Sequence, residues 1–149
     1  MKKILFLEDN VSVYEMLKDQ LDDSVYDIVR VRAVDEAEGA LEEDGPFDCY
    51  VVDLQILSYG LSLSEMAKYQ KREGYSFIKK YLLNEKTDEQ IKMIKSQIII
   101  CSRYIIAFKN EYRDEIQGMN LVDKTKGFEK EVARLINKIC KGNIFFLSI

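Results

Sequence analysis

Asp48-Cys49-Tyr50-Val51-Val52-Asp53-Leu54 carries an apolar run between two acids. A strand wetted on one side alternates apolar and polar residues. This one offers no polar face, as expected of a strand buried on both sides in a parallel sheet between helices. Gln97-Ile98-Ile99-Ile100-Cys101 has the same character. Two such strands in one short chain point to a sheet with helices on each face.

The flanking sequence completes the pattern. Towards the N-terminus, residues 4–7 form a short apolar run stopped by Glu8-Asp9-Asn10. Val13, Tyr14, Leu17 and Leu21 then recur at helical spacing, predicting a helix over 11–21 capped by Asn10 or Ser12. Residues 26–31 read as a strand. Residues 35–43 read as a helix with Asp35 as its cap, ended by Gly45-Pro46. Towards the C-terminus, helices are expected over 75–83, 105–116 and 128–139, with a short strand at 120–122. Strand and helix thus alternate five times. The fold class is α/β: a five-stranded parallel sheet with helices on both faces, a three-layer sandwich.

Three segments stand outside this alternation. Residues 54–73 form an insertion far longer than the roughly 2–6 residues usual between strand and helix, and 63–71 within it could form an extra helix. Residues 84–96 are a charged connection in which Thr87 or Asp88 can cap a helical extension. Residues 142–149 follow the domain (1–141) as a tail containing Ile144-Phe145-Phe146-Leu147. Such a tail is expected to dock on the domain or on a partner, a second copy of the chain among the candidates.

Composition removes whole classes of function. The 149 residues include 22 Lys+Arg, 26 Asp+Glu and no His, for a net charge of −4. There is no basic block, so nucleic acid is not an expected partner. Without His there is no Ser-His-Asp triad and no His-ligated zinc, and the chain cannot supply a phosphohistidine of its own. The three cysteines (Cys49, Cys101, Cys140) are scattered among apolar neighbours and read as reduced core thiols of a cytoplasmic protein. Acid arrives too early at the N-terminus for a signal peptide, and no apolar run approaches the length of a membrane span.

In a parallel sheet the strands' carboxyl ends share one edge, where ligands bind. Here those ends carry Glu8 and Asp9, Asp53, Ser102 and Lys124. Three carboxylates brought together repel, and a hard divalent cation relieves the repulsion. Mg²⁺ takes oxygen ligands at about 2.0–2.1 Å and retains several waters. Asp9 and Asp53 can bind it directly and Glu8 through water.

In this arrangement the sequence resembles the receiver domain of bacterial response regulators. The resemblance covers about residues 2–141 and rests on four motifs in order: Phe6-Leu7-Glu8-Asp9-Asn10, Val51-Val52-Asp53-Leu54, Ile99-Ile100-Cys101-Ser102 and Leu121-Val122-Asp123-Lys124. It implies a flavodoxin-like sandwich with Asp53 as phosphoacceptor. Mg²⁺ would be held by Glu8, Asp9, Asp53 and the backbone carbonyl of Gln55. Ser102 and Lys124 would contact the phosphoryl group. It further implies a sensor histidine kinase or phosphotransfer protein as donor and an unidentified downstream protein as target. The chain itself would not be an enzyme; a phosphohydrolase with a strand-end Asp nucleophile wants a second Asp at the position of Gln55.

The sequence departs from the family pattern in four places. Arg103 stands where a small residue is usual, and would either fill the pocket or bind phosphate through its guanidinium. Leu121 replaces the usual mobile aromatic. Thr125 replaces Pro after the lysine, so no cis peptide is expected there. The 54–73 insertion replaces a short loop. These departures feed an alternative reading: a degenerate receiver that works as a phosphorylation-independent interaction module.

Overall fold

Five parallel strands form the middle layer of the computed structural model, which describes residues 1–54, 73–103 and 105–147 (backbone alone for Glu73 and 142–147). The strands are β1 (Lys2–Leu7), β2 (Tyr26–Val31), β3 (Cys49–Val52), β4 (Ile98–Ser102) and β5 (Asn120–Asp123). Their order across the sheet is β2-β1-β3-β4-β5, the flavodoxin-like order with its switch point between β1 and β3. The helices are α1 (Val11–Asp19), α2 (Val34–Asp44), α3 (Glu73–Phe77), α4 (Asp88–Ser96), α5 (Ile105–Glu111) and α6 (Phe128–Leu147).

Side-chain alternation explains the two helical layers. In β3, Cys49 and Val51 join one core with Leu17 of α1 and Val132, Leu135, Ile136 and Cys140 of α6. Tyr50 and Val52 join the other, with residues of α2, α3 and α5, and Ile94 of α4 packs against it. In β4, Ile99 faces the first core while Ile98 and Ile100 face the second. All three isoleucines are fully buried, each worth about 1.5–3 kcal/mol relative to exposure. This two-sided burial is what an unalternating apolar strand requires. Cys49, Cys101 and Cys140 are all free and buried, as the sequence led us to expect.

Some boundaries differ from expectation for local reasons. Asn10 caps α1, its Oδ1 accepting from the N–H groups of Ser12 (2.9 Å) and Val13 (3.2 Å). Asp35 does not cap α2; Ala33 stands at the cap without a side-chain bond, and Asp35 and Glu36 lie in the first turn. There Glu36 reaches back to accept from the Arg32 N–H at 3.0 Å. The expected extension in 84–96 is a separate helix, α4, closed by a capping box between Thr87 and Gln90. α3 continues as a π-helical turn, Ile78–Leu82, in which the Leu83 N–H donates to the Ile78 carbonyl at 3.0 Å. α5 ends at Glu111, before the expected 116. α6 runs beyond 139 to Leu147, so the backbone of 142–147 is helical. The proposed helix at 63–71 lies outside the described residues. Among the described residues no helix is long and apolar enough to cross a membrane.

Candidate functional site

Strand register builds the site. Leu7 pairs with Val52, and Val52 with Ile100. Glu8 and Asp53 are therefore the next residues on adjacent central strands. The Asp53 N–H donates to the Leu7 carbonyl and the Glu8 N–H to the Val31 carbonyl, both at 3.0 Å. On the other side Ser102 pairs with Asp123, and the Lys124 N–H donates to the Ser102 carbonyl at 3.0 Å. Backbone ladders thus deliver all four residues to one edge of the sheet.

Their side chains meet there. The Lys124 ammonium donates to Glu8 Oε1 at 2.6 Å and to Asp53 Oδ2 at 2.9 Å. Among the described residues, Glu8, Asp53 and Ser102 are the buried polar or charged side chains, tyrosine and cysteine apart. These three, on three strand ends, gather the desolvation cost of buried polar side chains at one site. Burial raises the Glu8 carboxyl to about 8; the Asp53 charge adds to the rise, and Lys124 opposes it. For Lys124, burial works against the charge, but Asp53 and Glu8 outweigh it and the ammonium titrates above its ordinary range. Without a metal, Lys124 is the cation that holds the two acids together.

The donor set fits a hard divalent cation. Glu8, Asp9 and Asp53 each offer an oxygen, and the three atoms lie within 4.8 Å of one another. Burial pushes the neighbouring thiol of Cys101 up to about 12, and the ligand atoms that converge are those of Glu8, Asp9 and Asp53, without a sulfur among them. Carboxylate oxygens without sulfur suit Mg²⁺ or Mn²⁺.

Of the remaining expected residues, Gln55 lies outside the described residues, as does most of the 54–73 insertion. Arg103 follows Ser102 and is exposed, so it does not fill a buried pocket. Leu121 is half-buried and packs against the core shared by α2, α3 and α5. Among the described residues the cis peptide bond is Gly45–Pro46, so none follows Lys124.

Two contributors escaped the sequence reading. Arg30 of β2 donates from Nε to the Glu8 carbonyl at 3.2 Å and from a terminal nitrogen to the Asp9 carbonyl at 3.1 Å. Its signal was the alternation Tyr26, Ile28, Arg30, which sets a charged residue on a face that is otherwise apolar. Gly74, in the first turn of α3, lies directly against the end of β3, its N–H donating to the Leu54 carbonyl at 3.3 Å. No local pattern marks that contact.

No protein-family model matches the sequence, and no curated protein matches it either. Solved structures do match, over nearly the whole chain. The receiver domain of the Francisella response regulator 1452 superposes with a TM-score of 0.65 at 17% identity, covering 96% of this chain and 99% of that one. The chain has the receiver-domain fold. The phosphorylated cyanobacterial phytochrome response regulator RcpA matches with a TM-score of 0.64 at 15% identity, over 92% of this chain and 91% of its own. The Mn²⁺-bound form of response regulator Rcp1 matches with a TM-score of 0.62 at 15% identity, over 95% and 93%. The receiver fold puts the strand-end acids and Lys124 at the carboxyl edge of the sheet, where such folds bind ligands.

Proposed function

We propose that this chain is a receiver that accepts a phosphoryl group on Asp53, in a Mg²⁺-dependent reaction, and signals by binding another protein. One observation carries the reading: the Lys124 ammonium bridges Asp53 and Glu8 while Asp9 offers a third oxygen within 4.8 Å. An Asp53 carboxylate oxygen attacks the phosphorus of a phosphohistidine. The P–N bond breaks, the imidazole leaves, and an acyl phosphate forms. A divalent cation held by Glu8, Asp9 and Asp53 supplies neutralisation of the phosphoryl charge. Lys124 transfers its hydrogen bonds from the acids to the new phosphoryl oxygens. The Ser102 hydroxyl donates to the same group and draws the loop after β4 inward.

The donor is a sensor histidine kinase or phosphotransfer protein, because the chain has no His of its own. Asp53 is consumed once per transfer, so the chain is its donor's substrate and not an enzyme. Three free buried thiols suit a reducing cytoplasm. Incubation with acetyl phosphate and Mg²⁺ tests the reading by mass spectrometry. The expected result is a gain of one phosphoryl group, absent in Asp53→Asn. No gain with acetyl phosphate or with a phosphorylated donor protein would overturn phosphoacceptance and leave an interaction module.

A further inference from the structure

We infer that Arg30 positions the acid pair: by clamping the backbone carbonyls of Glu8 and Asp9 it sets how tightly their carboxylates hold a divalent cation. The inference rests on the metal reading of the site given above. Only Glu8, Asp9 and Asn10 join β1 to α1. The two ends of this short turn are anchored, by the Glu8 N–H on the Val31 carbonyl (3.0 Å) and by Asn10 capping α1. Between them, the carbonyls of Glu8 and Asp9 both turn to one guanidinium, at 3.2 and 3.1 Å. Both carbonyls belong to the backbone of the carboxylate-bearing residues, so a backbone rotation that moved either Cα would carry its carboxylate with it. A planar fork on two adjacent carbonyls opposes such rotation at both residues; an ammonium is a point charge and does not.

Arg30 is itself fixed. It pairs with Phe6 across the β1–β2 ladder, and its guanidinium carbon lies 5.4 Å from the centre of the Tyr14 ring. That ring packs edge-on against Phe6 at 5.9 Å. The clamp therefore stands on a stack of β1, β2 and α1 residues. Groups that hydrogen-bond metal-ligating side chains directly typically govern affinity about 10–100-fold, and a clamp on the backbone that carries them is expected at the low end of that range.

The test measures Mg²⁺ affinity of the full chain by calorimetry, alongside melting temperatures with and without the ion. Arg30→Lys keeps the charge and loses the fork; Arg30→Met loses both. Both variants are expected to raise the Kd about tenfold and to shrink the Mg²⁺-dependent rise in Tm. Arg32→Met, which breaks a surface pair with Glu36, is expected to leave the Kd unchanged. A lowered metal-free Tm with a Kd within twofold of the parent would reduce Arg30 to a structural residue and overturn the inference. Tighter binding in Arg30→Met would do the same, showing that its charge merely repels the ion. If Arg30→Met fails to fold, Arg30→Lys carries the test. A parent chain that binds no Mg²⁺ overturns the metal reading, and the positioning role with it.

Discussion

Lys124 holds two buried carboxylates at once, and the consequences follow from charge arithmetic. Its side chain is about as buried as theirs, at 10% exposure against 7% for each acid. Removing one partner from such a cluster strands charge in a poor solvent, at about 3–5 kcal/mol. Lys124→Met should lose that much stability above pH 8 in urea titrations with a chelator present. The loss should be smaller at pH 6, where Glu8 is protonated. Glu8 also makes the unaltered protein pH-sensitive. Its carboxyl titrates at about 8 when folded, against an ordinary value of 4.5. A raised folded value means the native state holds the proton more tightly, so this contribution is complete below the unfolded value and is lost as pH rises through the folded one. The metal-free Tm should therefore fall from about pH 5 to about pH 9, and Glu8→Gln should flatten the slope. A parent Tm that does not fall over that range would contradict the rise that burial and the Asp53 charge impose on Glu8.

Among the elements, α3 and α4 divide what can be read locally from what cannot. α4 was legible because its start is a local code. The Thr87 hydroxyl accepts from the Gln90 N–H at 3.2 Å and the Gln90 side chain accepts from the Thr87 N–H at 3.0 Å. Thr87→Ala should cost about 1 kcal/mol of stability in chemical denaturation. The start of α3 was not legible, because it depends on a neighbour distant in the chain. A Cβ at Gly74 would stand 2.1 Å from the Asp53 carbonyl oxygen and 3.0 Å from the Leu54 Cα. Gly74→Ala must push the helix off the end of β3, at about 1–3 kcal/mol, measurable as a lowered urea midpoint. One residue further on, the Tyr75 ring lies 5.0 Å from Phe108 of α5 and 4.7 Å from Tyr112 just beyond its end, centre to centre. The start of α3 thus touches both the end of β3 and the helix after Ser102.

Across the whole molecule, a cation held by residues of two strand ends binds only the folded chain. Mass action then gives about 1.4 kcal/mol at ten times the Kd, which for a domain of this size is about 3–6 °C in Tm. Millimolar Mg²⁺ should produce such a rise, and Asp9→Ala should abolish it. An unchanged melting curve in the parent would count against the metal. The sheet order and the two helical layers agree with the alternation of elements in the sequence. The placing of Glu8, Asp53, Ser102 and Lys124 at one edge was also legible, because strand ends are visible as the points where apolar runs meet them. Arg30 was not, because its partners are backbone carbonyls that any sequence at positions 8 and 9 would present.

What the chain's order of residues specified unaided is the set of periodic elements and the chemistry at their ends. Apolar spacing and capping are short-range effects, complete within a few residues. Folding in three dimensions decided the distances: that Lys124 bridges Glu8 and Asp53, that Arg30 grips the turn behind the acids, that α3 begins against Asp53. Those contacts join residues from 21 to 116 positions apart, and no local pattern encodes a hydrogen bond across that span.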